Sequence, residues 1–296
     1  TGQFMVPKEK NNIEFIGEDP TNTILTYPYN VHEAPPGETY PFNPGLVVAG
    51  DDFRAENLTI QNTSGDHGQA LALRVDGDRV RFENCRILGW QDTLMVNNGR
   101  DYFTNCYIAG RVDFIYGSAT AVFDHCEIHS RNGGHVTAAS TPENQPYGFV
   151  FLNCKLTGES QPWIAPDGKP ANQHKNPLAD LGRPWRPYAS VTYINCWMGD
   201  HIAPAGWNNW RKTSNEQTAR YSEYGSVGPG ANPGARVKWA HQLTDEQAKV
   251  YTAANILHGL DGWDPTQPAQ IPEANRMATS TNATPAELHR SLPILF

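Results

Sequence analysis

Hydrophobic and polar positions alternate over short segments, and one alternating phrase recurs through most of the chain. The phrase reads aromatic, any residue, Asn or His, Cys, any residue, aliphatic, and the five full copies occupy residues 82–87, 103–108, 123–128, 151–156 and 193–198. A degenerate copy at 55–60 carries Leu58 in place of the Cys. Successive Cys residues are 21, 20, 28 and 42 positions apart. A period near 20 residues that consists of short strands predicts an all-β solenoid, a parallel β-helix.

The five Cys residues of the chain all occupy the same position of the repeat. They should therefore stack on one side of the solenoid, roughly 4.8 Å apart from coil to coil, where a coil is one complete turn of the β-helix. The odd count and the absence of a CxxC pair favour buried free thiols that fill the interior. A metal site, a catalytic thiol and one disulfide between adjacent coils are the alternatives. The Asn or His before each Cys should face the opposite way, in a side-chain ladder at a turn.

The organisation of the chain predicts one β-helix domain over residues 1–263 and a strap or flexible tail over 264–296. Polar interruptions at 64–69 and 159–180 are predicted to be loops that flank a binding cleft, because loops on a rigid scaffold commonly carry recognition. A Pro- and Tyr-rich loop is predicted at 27–44. One short C-terminal helix is predicted from its N-cap Thr244, with Gln247 at the capping-box position, to about His258, and it should stop at Gly259.

Composition favours many short strands and turns over helices. Charged residues make up 18% of the 296 residues, and Gly and Pro number 26 and 23. The net charge of −8 argues against a nucleic-acid partner, and no apolar stretch is long enough to span a membrane. No signal peptide is visible. The chain opens as if already inside a coil, so we expect that the first coils and any export signal are missing from this sequence.

Two aspartates lie in step with the repeat, and they are the first candidates for chemistry. Asp92 follows Cys85 by seven residues, and Asp113 follows Cys106 by seven. Equal offsets place the two carboxylates on neighbouring coils with backbones about 5 Å apart. Such a pair should titrate as a unit, with one ionised nucleophile beside one protonated acid, which is what ester cleavage requires. A Ca²⁺ site and an Asp ladder bonded to turn amides are the structural alternatives.

Three further polar residues are predicted to lie on the same face. Arg183 and Asp113 each lie ten residues before the aromatic position of a repeat, so Arg183 should reach Asp113 from about two coils away and keep it ionised. Gln91 and Gln69 supply amide donors that could hold a tetrahedral oxyanion. The alternatives are an ordinary surface ion pair for Arg183 and turn positions for the two glutamines.

Flat aromatic rings suit the faces of pyranose sugars, and four are candidates for substrate binding. Trp185 is two residues from Arg183 on a predicted strand and therefore on the same face. Trp207 and Trp210 could stack on sugars or lie in the core, and Tyr116 is the weakest candidate of the four.

Four segments in these regions resemble the signature segments of pectin methylesterases, in the family's order. They are residues 69–74 (QALALR), 89–94 (GWQDTL), 113–117 (DFIYG) and 181–185 (LGRPW), and residues 47–63 are similar to the family's preceding stretch. Tyr116 stands where the family usually has Phe. The family's N-terminal Gly-x-Tyr-x-Glu segment is absent.

The resemblance implies a right-handed parallel β-helix and a hydrolase that acts on the C6 methyl esters of galacturonate in pectin. It implies that Asp113 is the nucleophile, that Asp92 is the general acid and then the base, and that Arg183 holds Asp113. Gln91 and Gln69 would form the oxyanion hole. No metal or cofactor is implied.

The implied partner is pectin or methylated oligogalacturonides, with the protein a monomer that is secreted or periplasmic. Four other functions remain as alternatives. Two are β-helix enzymes that cut the pectin backbone, a Ca²⁺-dependent lyase and a polygalacturonase. The others are a catalytically inactive sugar-binding or adhesin β-helix and an esterase for a non-pectic acyl substrate.

Overall fold

The computed structural model describes residues 2–33, 44–159 and 178–267. The chain divides into two compact units, Thr1–Pro265 and Thr266–Phe296. Most of the predicted loop at 159–180, part of the predicted loop at 27–44 and nearly all of the predicted tail lie outside the described residues.

Short strands make up most of the regular structure in the described ranges. They are β1 (Phe4–Val6), β2 (Glu14–Ile16), β3 (Ile24–Tyr27), β4 (Leu46–Val48), β5 (Arg54–Glu56), β6 (Thr59–Asn62), β7 (Leu73–Val75), β8 (Val80–Glu83), β9 (Arg86–Leu88), β10 (Leu94–Val96), β11 (Arg100–Thr104), β12 (Tyr107–Gly117), β13 (Thr120–Asp124), β14 (Glu127–Ala139), β15 (Phe149–Leu152), β16 (Lys155–Gly158), β17 (Ala179–Gly182), β18 (Ser190–Ile194), β19 (Trp197–Met198), β20 (Arg220–Tyr224) and β21 (His241–Gln242). The helices are α1 (Asn215–Thr218), α2 (Asp245–Ala248), α3 (Ala253–Leu257) and a 3-10 turn at Pro233–Ala235. None of these helices has the length and apolar character needed to cross a bilayer.

Every strand pairing between these elements is parallel, and strands that follow one another in the chain lie on different faces of the solenoid, except β20 and β21, which pair with each other. One sheet runs β2-β5-β8-β11-β13-β15-β18-β20-β21. The second has two arms, β3-β6-β9 and β1-β4-β7-β10, which join at the long strands β12 and β14. Both long strands bend where their mutual register shifts, near Val112 and His135. This arrangement confirms the predicted parallel β-helix.

The Asn or His of the repeat forms the corner between the two sheets. Each of these residues has a positive φ, between 49° and 58°, and they are Asn57, Asn84, Asn105, His125, Asn153 and Asn195. Asn and His tolerate this left-handed conformation better than most residues, which explains why the repeat carries them there. They point outward as predicted, and Asn84 Nδ2 donates to Asn57 Oδ1 at 2.7 Å.

The repeat's aromatic and Cys positions fill the interior. Phe82, Phe103, Phe123, Phe151 and Tyr193 stack in sequence, with ring centroids 4.4 to 4.9 Å apart. All five Cys residues are buried free thiols. Four of the thiols lie within 3.6 Å of a carbonyl oxygen on the preceding coil. The interpretation of the Cys residues as an inward stack is therefore confirmed, and the disulfide alternative is not observed.

The prediction of one helix from Thr244 to about His258 was wrong in its length. Thr244 and Gln247 do form the capping box, but α2 ends at Ala248. Thr252 then adopts an extended conformation, and its side chain accepts from the backbone N–H of Asn255 to begin α3. Thr side chains compete for backbone groups in this way, so a second N-cap interrupts the helix. Gly259, with φ +53°, follows α3 as predicted.

Candidate active site

Asp92 and Asp113 lie on neighbouring coils, as their equal offsets predict. The register pairs Leu94 with Ile115, and the backbone N–H of Asp92 donates to the carbonyl of Val112 at 3.0 Å. Both aspartates adopt the left-handed backbone conformation, with φ of 61° for Asp92 and 52° for Asp113. Asp92 lies just before β10, and Asp113 lies in the irregular part of β12. Aspartate tolerates this conformation better than most non-glycine residues, and strained positions of this kind cluster at functional sites.

Both carboxylates are nearly buried, with 6% of Asp92 and 7% of Asp113 exposed. Burial, and next the negative charge of Asp113, raise the pKa of Asp92 to about 7. A hydrogen bond from Gln69 and the charge of Arg183 act in the opposite direction on this pKa. Asp92 is therefore positioned to hold a proton near neutral pH, which is the requirement for a general acid.

Arg183 forms a bidentate ion pair with Asp113. Nε donates to Oδ1 at 2.8 Å, and Nη2 donates to Oδ2 at 2.7 Å. Arg183 reaches this position because it follows β17, which pairs with β14, the neighbour of β12. A planar guanidinium with two parallel hydrogen bonds fixes the carboxylate in one orientation.

One of the two glutamines contacts the carboxylate pair, and the other lies next to it on the adjacent coil. Gln69 and Gln91 form a parallel bridge on adjacent coils, and the carbonyl of Gln91 accepts from the N–H of Ala70 at 3.1 Å. Gln69 Nε2 donates to Asp92 Oδ2 at 3.0 Å. An amide nitrogen carries two N–H groups, so this contact leaves Gln69 a second donor. Both side chains are half-buried.

An apolar cluster adjoins the carboxylates. Tyr116, three residues after Asp113, is 6% exposed and packs edge-on against Trp185, with ring centroids 5.8 Å apart. Trp210 packs on the same cluster and stacks beneath the Arg183 guanidinium, 3.7 Å from the ring centroid. Trp185 and Trp210 are both half-buried, so part of each remains accessible to a ligand.

Sequence reasoning missed the rest of this cluster, which consists of Leu71, Met95 and Ala138. A signal was available, because Met95, Tyr116 and Ala138 are partners in the strand register and therefore share one outward row. The repeat offset of about 21 residues could have found them from Tyr116 alone.

Trp207 is not part of this surface, and its assignment as a substrate-binding residue was wrong. Only 2% of it is exposed. Its ring stacks on Tyr221, with centroids 4.2 Å apart, and its Nε1 donates to Glu223 Oε1 at 3.2 Å. Trp207 therefore extends the interior aromatic stack and cannot present a face to a sugar.

Among the described residues, no three His, Cys, Asp or Glu side chains are grouped so as to hold a metal ion. The polar set consists instead of a carboxylate pair, a guanidinium group and two amides beside an apolar, aromatic surface. Fold and site together define a parallel β-helix protein that carries paired carboxylates and a guanidinium group beside an aromatic surface.

Comparisons with known proteins identify the family. Residues 2–260 match the Pectinesterase family model. Pectinesterase 31 of Arabidopsis thaliana is 40% identical over 252 residues, which cover 82% of this chain and 75% of that protein. The chain belongs to the pectinesterase family of enzymes.

Solved structures agree with this assignment. A pectin methylesterase from carrot superposes with a TM-score of 0.77 at 33% identity, covering 87% of this chain and 81% of that one. A pectin methylesterase in complex with a hexasaccharide superposes with a TM-score of 0.75 at 29% identity, covering 90% and 87%. The predicted fold class and the resemblance to pectin methylesterases are therefore confirmed.

Proposed function

We propose that this protein hydrolyses the C6 methyl esters of galacturonate residues in pectin and releases methanol. The observation that carries the proposal is the unlike pair of carboxylates. Burial raises the pKa of Asp92 to about 7, while Asp113 is held in the Arg183 fork. Membership of the pectinesterase family and the hexasaccharide complex of a structural relative support pectin as the substrate.

The reaction begins with attack of an Asp113 oxygen on the ester carbonyl. The tetrahedral oxyanion accepts hydrogen bonds from Gln91 and from the second N–H of Gln69. Protonated Asp92 gives its proton to the departing methoxide, so methanol leaves and an anhydride links Asp113 to the substrate. Asp92 is then ionised and takes a proton from a water molecule, which attacks the anhydride. The products are the free galacturonate carboxylate and the resting enzyme, with Asp92 protonated again.

Sugar residues on either side of the ester would lie along the apolar cluster. Trp185, Trp210 and Tyr116 present ring surface beside the reacting carboxylates, and pyranose faces pack well on such rings. Monomeric state, secretion or a periplasmic location, and independence from metals and cofactors remain predictions.

The test is methanol release from methylated pectin with a chelator present, for the wild type and for Asp113→Ala. We expect turnover by the wild type and none by the variant. Asp113→Asn is the matched control for conformation, because Asn tolerates the left-handed φ of 52° better than Ala does. Substantial esterase activity in both variants would remove Asp113 from the role of nucleophile.

The same assay separates the alternative enzymes. A Ca²⁺-dependent lyase would be silent with chelator and would form an ultraviolet-absorbing product when Ca²⁺ is added. A polygalacturonase would release reducing ends. Binding of oligogalacturonides without any methanol release would favour a sugar-binding protein instead.

A further inference from the structure

A buried ion pair joins the loop at residues 64–68 to β12, the strand that carries Asp113. Arg111 Nη1 donates to Asp66 Oδ2 at 2.6 Å, and each side chain is only 5% exposed. The loop lies between β6 and Gln69, in the segment that the sequence predicted to flank a cleft. Its backbone is permissive, since Gly65 and Gly68 both adopt positive φ, of 86° and 124°.

The ion pair spans the three coils that carry the two glutamines and the two aspartates of the site. Gln69 lies on the first coil and bridges to Gln91 on the second. Arg111 lies on the third, and its backbone N–H donates to the carbonyl of Trp90 on the second at 2.9 Å. The side chain of Arg111 therefore crosses the middle coil to reach Asp66. This contact restrains the first coil relative to the third.

Both partners are close in sequence to residues of the reaction. Asp66 is three residues before Gln69, whose Nε2 contacts Asp92 at 3.0 Å. Arg111 is two residues before Asp113, in the irregular part of β12. Loss of the ion pair would therefore displace Gln69 on the first coil and Asp113 on the third.

Stability alone does not account for this pair. Buried ion pairs lose the hydration of both charges, and well-packed apolar residues in their place are often neutral or stabilising. Arg111 Nε is also buried without a hydrogen-bond partner, which adds a further cost. What a charged pair offers in return is one defined geometry between two segments that are distant in sequence.

We propose that Asp66 and Arg111 are positioning residues that hold the Gln69 amide in register with the two catalytic aspartates. This inference rests on the proposed esterase function. Loss of the pair should lower kcat while KM for methylated pectin stays within about twofold, because substrate still binds and the oxyanion donor is displaced. Misplacement of a catalytic group by about 1 Å can reduce the rate by about 100-fold.

The test is a double-mutant cycle between the pair and Gln69. The pair is replaced by Asp66→Val with Arg111→Met, which removes both charges and leaves no lone buried ion. We expect kcat for methanol release to fall by about 10- to 100-fold in the wild-type background. In a Gln69→Ala background the same replacement should change kcat by less than about twofold, because the donor that it positions is already gone.

The pH profile supplies a readout that a merely structural role would not move. Burial and Asp113 raise the pKa of Asp92, while the Gln69 hydrogen bond and Arg183 lower it. Tyr116 and Tyr221 also interact with the aspartates, Tyr116 with Asp92 and Asp113, and Tyr221 with Asp113. Losing the Gln69 contact should therefore shift the alkaline limb of kcat/KM to higher pH.

The matched control is the Glu223–Arg236 pair, which is equally buried, at 5% and 2% exposure, with Nε and Oε1 2.9 Å apart. Glu223→Leu with Arg236→Met should lower the Tm, because it also removes the hydrogen bonds from Trp207 to Glu223 and from Arg236 to the carbonyls of Pro204 and Gly230. It should not move the alkaline limb. Asp66→Asn is the second variant if the double replacement fails to fold. It should also lower kcat, but by a smaller factor.

Three results would overturn the inference. They are an equal loss of kcat in both Gln69 backgrounds, an unchanged kcat with a lowered Tm, and the same kinetic effect from the control pair. Absence of methanol release by the folded wild type would instead refute the proposed function, and the inference with it.

Discussion

Asp92→Asn should stabilise the folded protein at alkaline pH while it removes catalysis. Asn keeps the size of the side chain, tolerates the left-handed φ of 61° and can still accept from Gln69 Nε2. What it loses is a carboxyl group whose pKa is raised, chiefly by burial and next by Asp113, from an ordinary 3.8 to about 7. The variant therefore isolates the cost of ionising this one group inside the folded protein.

The sign and size of the effect follow from that difference in pKa. Below pH 3.8 the group is protonated in both the folded and the unfolded chain, so it does not affect stability. As the pH rises to about 7, only the unfolded chain ionises freely, and the wild type loses stability. One pKa unit corresponds to about 1.4 kcal/mol, so the total loss approaches about 4 kcal/mol above pH 7.

The assay is equilibrium unfolding by denaturant at pH values from 4 to 8.5, for wild type and Asp92→Asn. The difference in the free energy of unfolding should be small at pH 4 and should grow to about 4 kcal/mol in favour of the variant by pH 8. Asp101 is a buried carboxyl with a raised pKa, but it titrates in both proteins and cancels in the difference.

Asp113→Asn is the matched change on the neighbouring coil, and it should have the opposite sign. Asn has a single acceptor oxygen, so one of the two hydrogen bonds from Arg183 is lost, and a hydrogen bond to a charged group contributes about 1.5–3 kcal/mol. We therefore expect it to destabilise the fold by about 2 kcal/mol. A stability difference for Asp92→Asn that stays flat with pH, or that favours the wild type at pH 8, would refute the reasoning.

Three other predictions follow from the site. The value of kcat/KM for methylated pectin should decline above about pH 7, because ionised Asp92 has no proton for the leaving methoxide. A kcat/KM that stays unchanged up to pH 9 would contradict this. Gly182→Ala should lower kcat and disturb Arg183, since a methyl group at residue 182 would collide with a neighbouring threonine; unchanged activity and an unchanged crystal structure would show that the strand accommodates it. Trp207→Ala should lower the free energy of unfolding by about 3–5 kcal/mol, because the ring is buried. Trp210→Ala should mainly raise KM, because the ring lies beside Arg183 at the site. The opposite pattern in unfolding and kinetic assays would show that Trp207 binds substrate and that Trp210 belongs to the core.

Much of the fold was predictable because a solenoid makes side-chain direction depend on local period. The Cys, Asn and aromatic positions of the repeat point inward or outward in every coil as the alternation indicates. The start of the C-terminal helix at Thr244 was predicted correctly, but its continuation beyond Ala248 was wrong. Thr252 caps a second helix, as Thr244 caps the first. Competition between two local signals of similar strength cannot be decided by either one alone.

The candidate site divides in the same way. Asp92, Asp113 and Arg183 share positions within the repeat, so their proximity could be inferred by counting residues. Trp207 and Trp210 lie beyond the last full copy of the repeat, where no period indicates which ring turns inward. Asp66 and Arg111 also have no common offset, and their contact depends on how the 64–68 loop folds over the middle coil.

The amino-acid sequence by itself determined the β-helix, the filling of its interior and the stacking of two aspartates beside an arginine. These features need only a regular coil length, because equal coils bring equal positions together. Tertiary structure alone decided that burial is the chief cause of the raised pKa of Asp92, that Trp207 is buried, and that Asp66 of the loop pairs with Arg111. Each of these depends on how much water the surrounding segments exclude, and that is known only once every coil and loop has its place.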